Sequence, residues 1–376
     1  MQYSKINWNY IRSQFPATKK YIYLNAASTS PIPRVVSEAG KAFYDEILLE
    51  GVEAWDKWEK RVKDARKDAA RLINASEKEI CFTTNTGHGI NIIADMLKGR
   101  GDIITMDDEY PTSTIPFIHR KLKVRFIKPL KNAYPIEHIE KHLTKNTKIL
   151  VTSHIQYKTG FKQDLVALGE FCKKQSLIFV VNATQSGGVF PIDIKEANID
   201  FLTFAGYKWT LAGFGNGILY INKKWIKEKD LPLVGSESVK DWDAMDNKKF
   251  EIRKEASILE IGAANFPPIL ALGAALKFLK TIGQKNIQNR IYELNNYLVN
   301  KLKNIEKITI TTPLERKYRS GITIIKVANP KPLVKKLSKK NILISARGEG
   351  IRVSVHVYNN KKDIDKFTSE LGKIIK

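Results

Sequence analysis

The sequence predicts an α/β protein: a large domain built on a mostly parallel sheet, followed by a smaller C-terminal α+β domain. Three observations carry that expectation. Between residues 79 and 221, short apolar runs alternate with helical stretches, the pattern of a parallel sheet with crossover helices. Beyond residue 260 the order changes to two long amphipathic helices and then short strand-like runs. The composition, 376 residues with 43% hydrophobic and 10% aromatic, excludes the disordered, collagenous and disulfide-scaffold classes and leaves room for roughly two or three packed units.

Taken in order, residues 1–20 form an N-terminal segment that lacks the apolar stretch of a secretion signal. Residues 33–73 read as helix, with Trp55 and Trp58 three apart and no Gly or Pro after Gly51. Strands are expected at 79–83, 102–106, 124–127, 148–153, 178–181, 201–204 and 217–221. Residues 231–255 are polar and irregular, a long connection. Helices follow at 266–282 and 287–302, stopped between them by Gly283. Strands at 307–311, 321–327, 342–345 and 351–355, with helices at 332–339 and 361–375, complete the smaller domain. The expected boundaries are therefore 1–20, 21–260 for the large domain and 261–376 for the small one. No internal repeat is present, which excludes solenoids and propellers.

The charge is abnormal: 63 Lys and Arg against 39 Asp and Glu give +24. Such an excess fits nucleic acid, an anionic membrane or anionic small ligands. No recognition helix, aromatic platform or clustered basic tail accompanies it, so a nucleic-acid partner is not expected. The alternating basic run 119–128 reads as an edge strand with a charged outer side. No run approaches the roughly 18 apolar residues of a membrane span. Cys81 and Cys172 have no Cys or His at ligand spacing, which predicts small core residues in a reducing cytoplasm. His138 and His142 are four apart, but Glu140 is not adjacent to the first histidine as the zinc-protease pattern requires, so no metal is expected.

Two places could hold chemistry. Lys208 follows an apolar strand and sits between Tyr207 and Trp209, where desolvation would lower its pKa and make it a nucleophile near neutral pH. The glycine-rich stretch 213–217 comes next and permits close backbone approach. The run Thr83-Thr-Asn-Thr-Gly-His-Gly-Ile-Asn91 leaves a strand and enters an apolar helix. Its backbone N–H groups would suit a phosphate, or Thr86 would simply cap the helix. A phosphate cup followed by an apolar-flanked lysine is what an enzyme needs to hold pyridoxal phosphate as a Schiff base.

With these motifs in view, the chain resembles the class V aminotransferases of fold type I, near the isopenicillin N epimerase-like and cysteine desulfurase-like branch. The resemblance runs from Tyr23-Leu-Asn-Ala-Ala27 through 84–91, Glu109-Tyr-Pro111, Thr152-Ser-His154, Thr159–Asp164, Asn182-Ala-Thr-Gln185, Ala205-Gly-Tyr-Lys-Trp209 and Glu260–Asn265 to Ile351-Arg-Val-Ser354 and Tyr358-Asn359. It implies a pyridoxal 5'-phosphate enzyme acting on a small amino acid, most simply an aminotransferase, with epimerisation, racemisation and C–S β-elimination as alternatives. It also implies a homodimer with the active site at the interface. By the same resemblance Lys208 binds the cofactor and moves the Cα proton, and Thr86, Gly87 and His88 hold its phosphate. Tyr110 stacks on the ring, Gln185 contacts its 3-oxygen, and Tyr207 is placed to reach the phosphate. Arg352 takes the substrate carboxylate, with Asn25 and Ala26 beside it.

Departures from the family pattern are informative. Asn182 stands where the family carries an aspartate that pairs with the ring nitrogen, which predicts a weaker electron sink. Ala205 and Ala263 replace hydroxyls that contact phosphate in many relatives. Residues 345–352 hold no cysteine, so persulfide-forming desulfuration is not expected. These changes also leave open a catalytically weakened scaffold that retains the fold.

Overall fold

The alternation between residues 79 and 221 folds as one seven-stranded sheet in a computed structural model that describes residues 6–227 and 231–375. Residues 1–5 of the N-terminal segment, 228–230 of the large domain and 376 of the small one lie outside the described residues. In chain order the first elements are α1 (Trp8–Ser13), β1 (Ile22–Tyr23), α2 (Arg34–Glu50), α3 (Trp55–Leu72), β2 (Ile80–Thr83), α4 (Thr86–Met96), β3 (Asp102–Met106), α5 (Ile115–His119) and β4 (Val124–Ile127). They continue with α6 (Ile136–Glu140), β5 (Thr147–Ser153), α7 (Leu165–Lys174), β6 (Ile178–Asn182), β7 (Phe201–Ala205) and β8 (Gly217–Ile221). The C-terminal part adds α8 (Phe266–Ile282), α9 (Gln284–Leu302), β9 (Thr309–Ile310), β10 (Ile322–Lys326), α10 (Pro330–Ser338), β11 (Ile342–Leu343), β12 (Ser345–Arg347), β13 (Gly350–Ser354) and α11 (Lys361–Ile375).

The large sheet has the order β2-β8-β7-β6-β5-β3-β4. Its pairings from β7 to β4 are parallel, and only β8 runs antiparallel to its neighbours β2 and β7. Both faces are covered, as period-two alternation requires of a buried parallel sheet. Leu150, Phe179 and Val181 join the core under α2, α3, α7 and α8, while Ile149, Val151 and Val180 join the core under α4. The basic run ends in β4, the edge strand, with Arg125 and Phe126 exposed.

Two expected elements are split. The helix at 33–73 breaks at Gly51–Ala54, because Gly51 takes φ +57 and ends α2 before α3 begins. The strand at 342–345 is two strands: β11 pairs parallel with β1, whereas β12 joins the four-stranded sheet β12-β13-β10-β9. The hydrophobic cores also divide the chain differently from the expected boundaries. Phe266 to Leu276 of α8 pack with α2 and α3 in the large-domain core, whereas Ile11, Phe15, Leu24, Ala26 and Ala27 belong to the C-terminal core. A helix that is apolar on most of its circumference can serve both cores at once, and Leu279 and Ile282 of α8 do join the C-terminal core.

Among the described residues no single helix is long and apolar enough to cross a membrane, and no group of His, Cys, Asp or Glu could hold a metal ion. His142 turns its Nδ1 to the carbonyl of His138 at 2.8 Å instead of sharing a ligand with it.

Candidate active site

Parallel strands deliver their carboxyl ends to one edge of a sheet, and ligands bind there. At that edge a cavity of about 150 Å³ is lined by Asn85, Thr86, Gly87, Tyr110, Thr112, Ser153, Tyr157, Asn182, Thr184, Gln185, Tyr207 and Lys208. Of the residues singled out from sequence, Thr86, Gly87, Tyr110, Asn182, Gln185, Tyr207 and Lys208 are therefore brought together.

Lys208 is set by the turn after β7. Gly206 donates to the Asn216 carbonyl at 3.1 Å and accepts from Ala212 N–H at 2.9 Å. A Cβ on Gly206 would lie 1.8 Å from Asn216 Oδ1, so this approach requires glycine. Leu211 holds φ +64 in the same turn, a strained conformation fixed by its surroundings. Trp209, fully buried, donates its indole N–H to Gln185 Oε1 at 2.8 Å, and its carbonyl bonds His356 Nε2 at 3.0 Å. The residue that follows the lysine is thus held from both sides, by Gln185 and by His356. The Lys208 Nζ lies 5.4 Å from the Tyr110 ring centre and 5.5 Å from that of Tyr207. Desolvation, then the charges of Arg352 and Arg347, pull the Lys208 amine down to about 7, so a large share is neutral and nucleophilic near pH 7.

The cup lies at the start of α4. Its N-cap is Asn85, not Thr86: the Asn85 side chain accepts from His88 N–H at 3.0 Å. Asparagine reaches the third N–H of the helix easily, which frees Thr86 to bond Thr184 Oγ1 at 2.6 Å. Gly89 N–H bonds the Asn85 carbonyl at 3.3 Å. The N–H groups of Thr86 and Gly87 are left for a ligand, as the first turn of a helix leaves them. A Cβ on Gly87 would meet Asn85 Oδ1 at 3.0 Å and narrow this cup. His88 is not brought in: its N–H is taken by Asn85, and its Nδ1 lies 3.4 Å from Thr84 N.

Asn182, at the end of β6, donates from Nδ2 to Ser113 Oγ at 2.9 Å and accepts at Oδ1 from Thr184 N–H at 3.0 Å. Behind Ser113 lies Glu109, whose buried carboxyl accepts from Ser153 N–H, from Ser153 Oγ at 2.6 Å and from Gln156 Nε2 at 2.6 Å. Burial raises the Glu109 pKa, and these donors together with Ser113 oppose the shift. Gln185 Nε2 donates to the Ala27 carbonyl at 3.0 Å, and the amide retains a second N–H.

Arg352 is 1% exposed. It donates to the Tyr157 carbonyl at 3.2 Å and to Ser28 Oγ at 2.8 Å, while its Nε has no partner. Burial and Arg347 lower its pKa to about 9. Asn25 and Ala26 do not line the cavity. Ala26 is fully buried in the C-terminal core, and Asn25 bridges to Ser354 with its Oδ1 unpaired. Ser28, three residues beyond Asn25, is the one that meets the arginine. Ala205 closes β7 inside the protein, whereas Ala263 is exposed beside a recess that also holds Trp55 and Trp242. Cys81 and Cys172 are buried in β2 and α7, both with raised pKa, and neither lines the cavity.

A nucleophilic lysine amine, a helix N-terminus with free N–H groups, an aromatic face and a buried guanidinium fit one cofactor, and together with the fold they define a pyridoxal 5'-phosphate enzyme of fold type I. The chain belongs to the class V aminotransferase family, whose model matches residues 22–367. Among curated relatives, a "Probable cysteine desulfurase" of Pyrococcus abyssi is 26% identical over 394 residues, 97% of either chain. An "Uncharacterized aminotransferase YcbU" of Bacillus subtilis is 26% identical over 369 residues, 96% of either chain. Among solved structures, the apo cysteine desulfurase of Thermococcus onnurineus NA1 superposes with TM-score 0.88 at 23% identity, covering 100% of this chain and 99% of that one. The cystine C–S lyase C-DES, solved with its product cysteine persulfide, gives 0.85 at 21% identity, covering 96% and 99%.

Proposed function

We propose that this enzyme works at the Cα of an amino acid, transaminating it with Lys208 as the proton carrier. What carries this reading is the placement of Lys208, buried in the cavity lining with its Nζ 5.4 Å from the Tyr110 ring centre, where desolvation, then the charges of Arg352 and Arg347, lower its pKa to about 7. Bound pyridoxal phosphate supplies the electron sink that makes a Cα proton removable. The chain's own residues do the rest. Lys208 Nζ would take the Cα proton and deliver it to the cofactor side instead of back to Cα, the transfer that separates transamination from racemisation. Arg352 holds the α-carboxylate and so fixes which Cα bond faces Nζ. Thr86 and Gly87 hold the phosphate, and Tyr110 covers one side of the ring. Gln185 gives its second N–H to the ring oxygen, and Tyr207 adds a hydroxyl near the cup. Ser153 and Thr184 line the floor.

A second reading, C–S β-elimination, is favoured by the relatives named as desulfurases and C–S lyase. It needs the same proton removal by Lys208 but no protein thiol. Desulfuration through an enzyme persulfide has no such support, because both cysteines are buried away from the cavity. The proposal includes a cytoplasmic homodimer, with exposed Leu48, Leu49 and Val52 as its apolar face, which sedimentation of the purified chain reads out.

The test is a half-reaction screen of the cofactor-loaded enzyme across amino acids. Conversion of the cofactor to its amine form, with release of the matching keto acid, is the expected result. Pyruvate release without that conversion would select the second reading, and neither change with any amino acid would overturn both.

A further inference from the structure

The hairpin that carries Arg352 carries a second guanidinium. Strands β12 and β13 pair antiparallel, with Ser345 opposite Arg352 and Arg347 opposite Gly350. Gly348 takes φ +52 in the turn between them. Side chains alternate along a strand, so Arg347 shares a face with Ser345, and Ser345 shares it with Arg352 across the pair. Both arginines therefore project to the same side. Arg352 Nη2 donates to Ser28 Oγ at 2.8 Å, and Arg347 Nη2 donates to the same oxygen at 3.1 Å. One small hydroxyl thus holds the two cationic groups within a few ångströms of each other.

Like charges this close repel, and burial makes the repulsion worse unless an anion lies between them. Among the described residues neither guanidinium has a carboxylate within ion-pair distance. Arg352 has only Ser28 and the Tyr157 carbonyl, and Arg347 only Ser28 and its neighbouring Ala346 carbonyl at 2.7 Å. The nearby acid on the hairpin, Glu349, pairs with Lys326. Lys208 feels both charges as well. Lys208 lines the cavity, and the two arginines stand behind its lining, Arg352 bonded to the carbonyl of the lining residue Tyr157 and Arg347 sharing Ser28 with it, with no acidic counterpart to either guanidinium among the described residues. The Ser28 oxygen accepts from both arginines, so its own O–H remains a third donor toward the same place.

One α-carboxylate neutralises one of these arginines. We propose that Arg347 forms a second anion subsite beside Arg352, and that the substrate is an α-amino acid whose short side chain carries its own oxyanion, such as a carboxylate. The inference rests on the reading that Arg352 takes the α-carboxylate. It narrows the substrate class beyond an amino acid of unspecified side chain, and it names Arg347 as the residue that sets that preference.

The test is calorimetric binding to the cofactor-loaded enzyme at fixed ionic strength. The probes are succinate and glutarate against butyrate and valerate, which match them in length but carry one charge. The dicarboxylates are expected to bind about 10- to 100-fold more tightly, the range of one charged hydrogen-bonded contact. Arg347→Gln should remove that preference and leave butyrate binding unchanged. Arg347→Lys, with charge but no planar fork, should keep part of it. Equal affinity of wild type for both kinds of acid overturns the subsite, as does an equal loss of both in Arg347→Gln. The wild-type comparison decides the matter even where a variant fails to fold. Failure of the underlying reading has a different signature: Arg352→Gln leaves the binding of butyrate and valerate unchanged, which would show that Arg352 does not take the α-carboxylate, whatever Arg347 does.

Discussion

The two ends of the large sheet make opposite uses of lysine. At the carboxyl end, a cavity of about 150 Å³ holds one buried lysine whose amine is pulled to about 7. At the amino end, beside Glu79, Leu177 and Asp200 where β2, β6 and β7 begin, lies a far larger recess of about 810 Å³. It is lined by Lys78, Lys173, Lys195, Lys223, Lys224 and Lys254, all exposed to solvent. An exposed ammonium is a stable cation, and these six make a basic surface in which Lys224 pairs with Asp200. A single ammonium stripped of water becomes a base and a nucleophile. The excess of +24 is thus no guide to where the chemistry is; burial is.

The sharpest way to break this contrast is to remove a lysine from each end. Lys208→Ala is expected to abolish covalent attachment of the cofactor and to lower turnover by at least about a thousandfold, the scale of losing both nucleophile and proton carrier. Lys195→Ala with Lys223→Ala should leave both unchanged. Visible absorbance and the mass of the borohydride-treated protein report attachment directly. Retained attachment in Lys208→Ala would move the site elsewhere.

A smaller effect sharpens the same point through pH. The Lys208 amine must be neutral to attack the cofactor's carbonyl, and its pKa is lowered to about 7 by burial and by Arg352 and Arg347. Cofactor capture by the apo-protein should therefore rise about tenfold per pH unit below 7 and level off above it. An ordinary, hydrated lysine would still be accelerating at pH 9. Stopped-flow capture rates between pH 5.5 and 9 distinguish the two, and a rate that climbs without levelling would show that Lys208 is not desolvated.

Much of the site was legible because it lies at strand ends, which apolar periodicity marks. Lys208 follows β7, Asn182 closes β6, and Thr86 opens the helix after β2. What was not legible depends on tertiary approach. Ser28 and Arg347 come from opposite ends of the chain and meet at one hydroxyl, and no local pattern announces that meeting. Arg347 lies in the cysteine-free stretch 345–352, and its positive charge five residues before Arg352 is the one signal the sequence carries there. The motif ending at Ala27 points to Asn25 and Ala26 and stops short of Ser28, because a motif gives register without saying which side chain faces the arginine. Asn85 displaced both Thr86 as cap and His88 as donor, a contest between adjacent polar residues that only the backbone angles decide. The pairing of β1 with β11 was hidden for a related reason, since its two strands lie about 320 residues apart in sequence.

The smallest expected effect concerns Asn182. Aspartate there would supply the charge that strengthens the electron sink, so turnover should rise a few-fold. The surroundings were built for an amide, however. Asn182 Nδ2 donates to Ser113 Oγ, which leaves the Ser113 hydroxyl proton for Glu109. A carboxylate at 182 cannot donate, so Ser113 must turn its proton toward it and away from Glu109. Two carboxyl groups then share one buried region, and one of them is forced to hold a proton. Asn182→Asp should consequently lose about 1–2 kcal/mol of stability, a few degrees of melting temperature, while it gains activity. Adding Ser113→Asn, which can donate to both carboxylates, should recover part of the loss. An Asn182→Asp protein as stable as wild type would mean that Glu109 and position 182 are not coupled through Ser113.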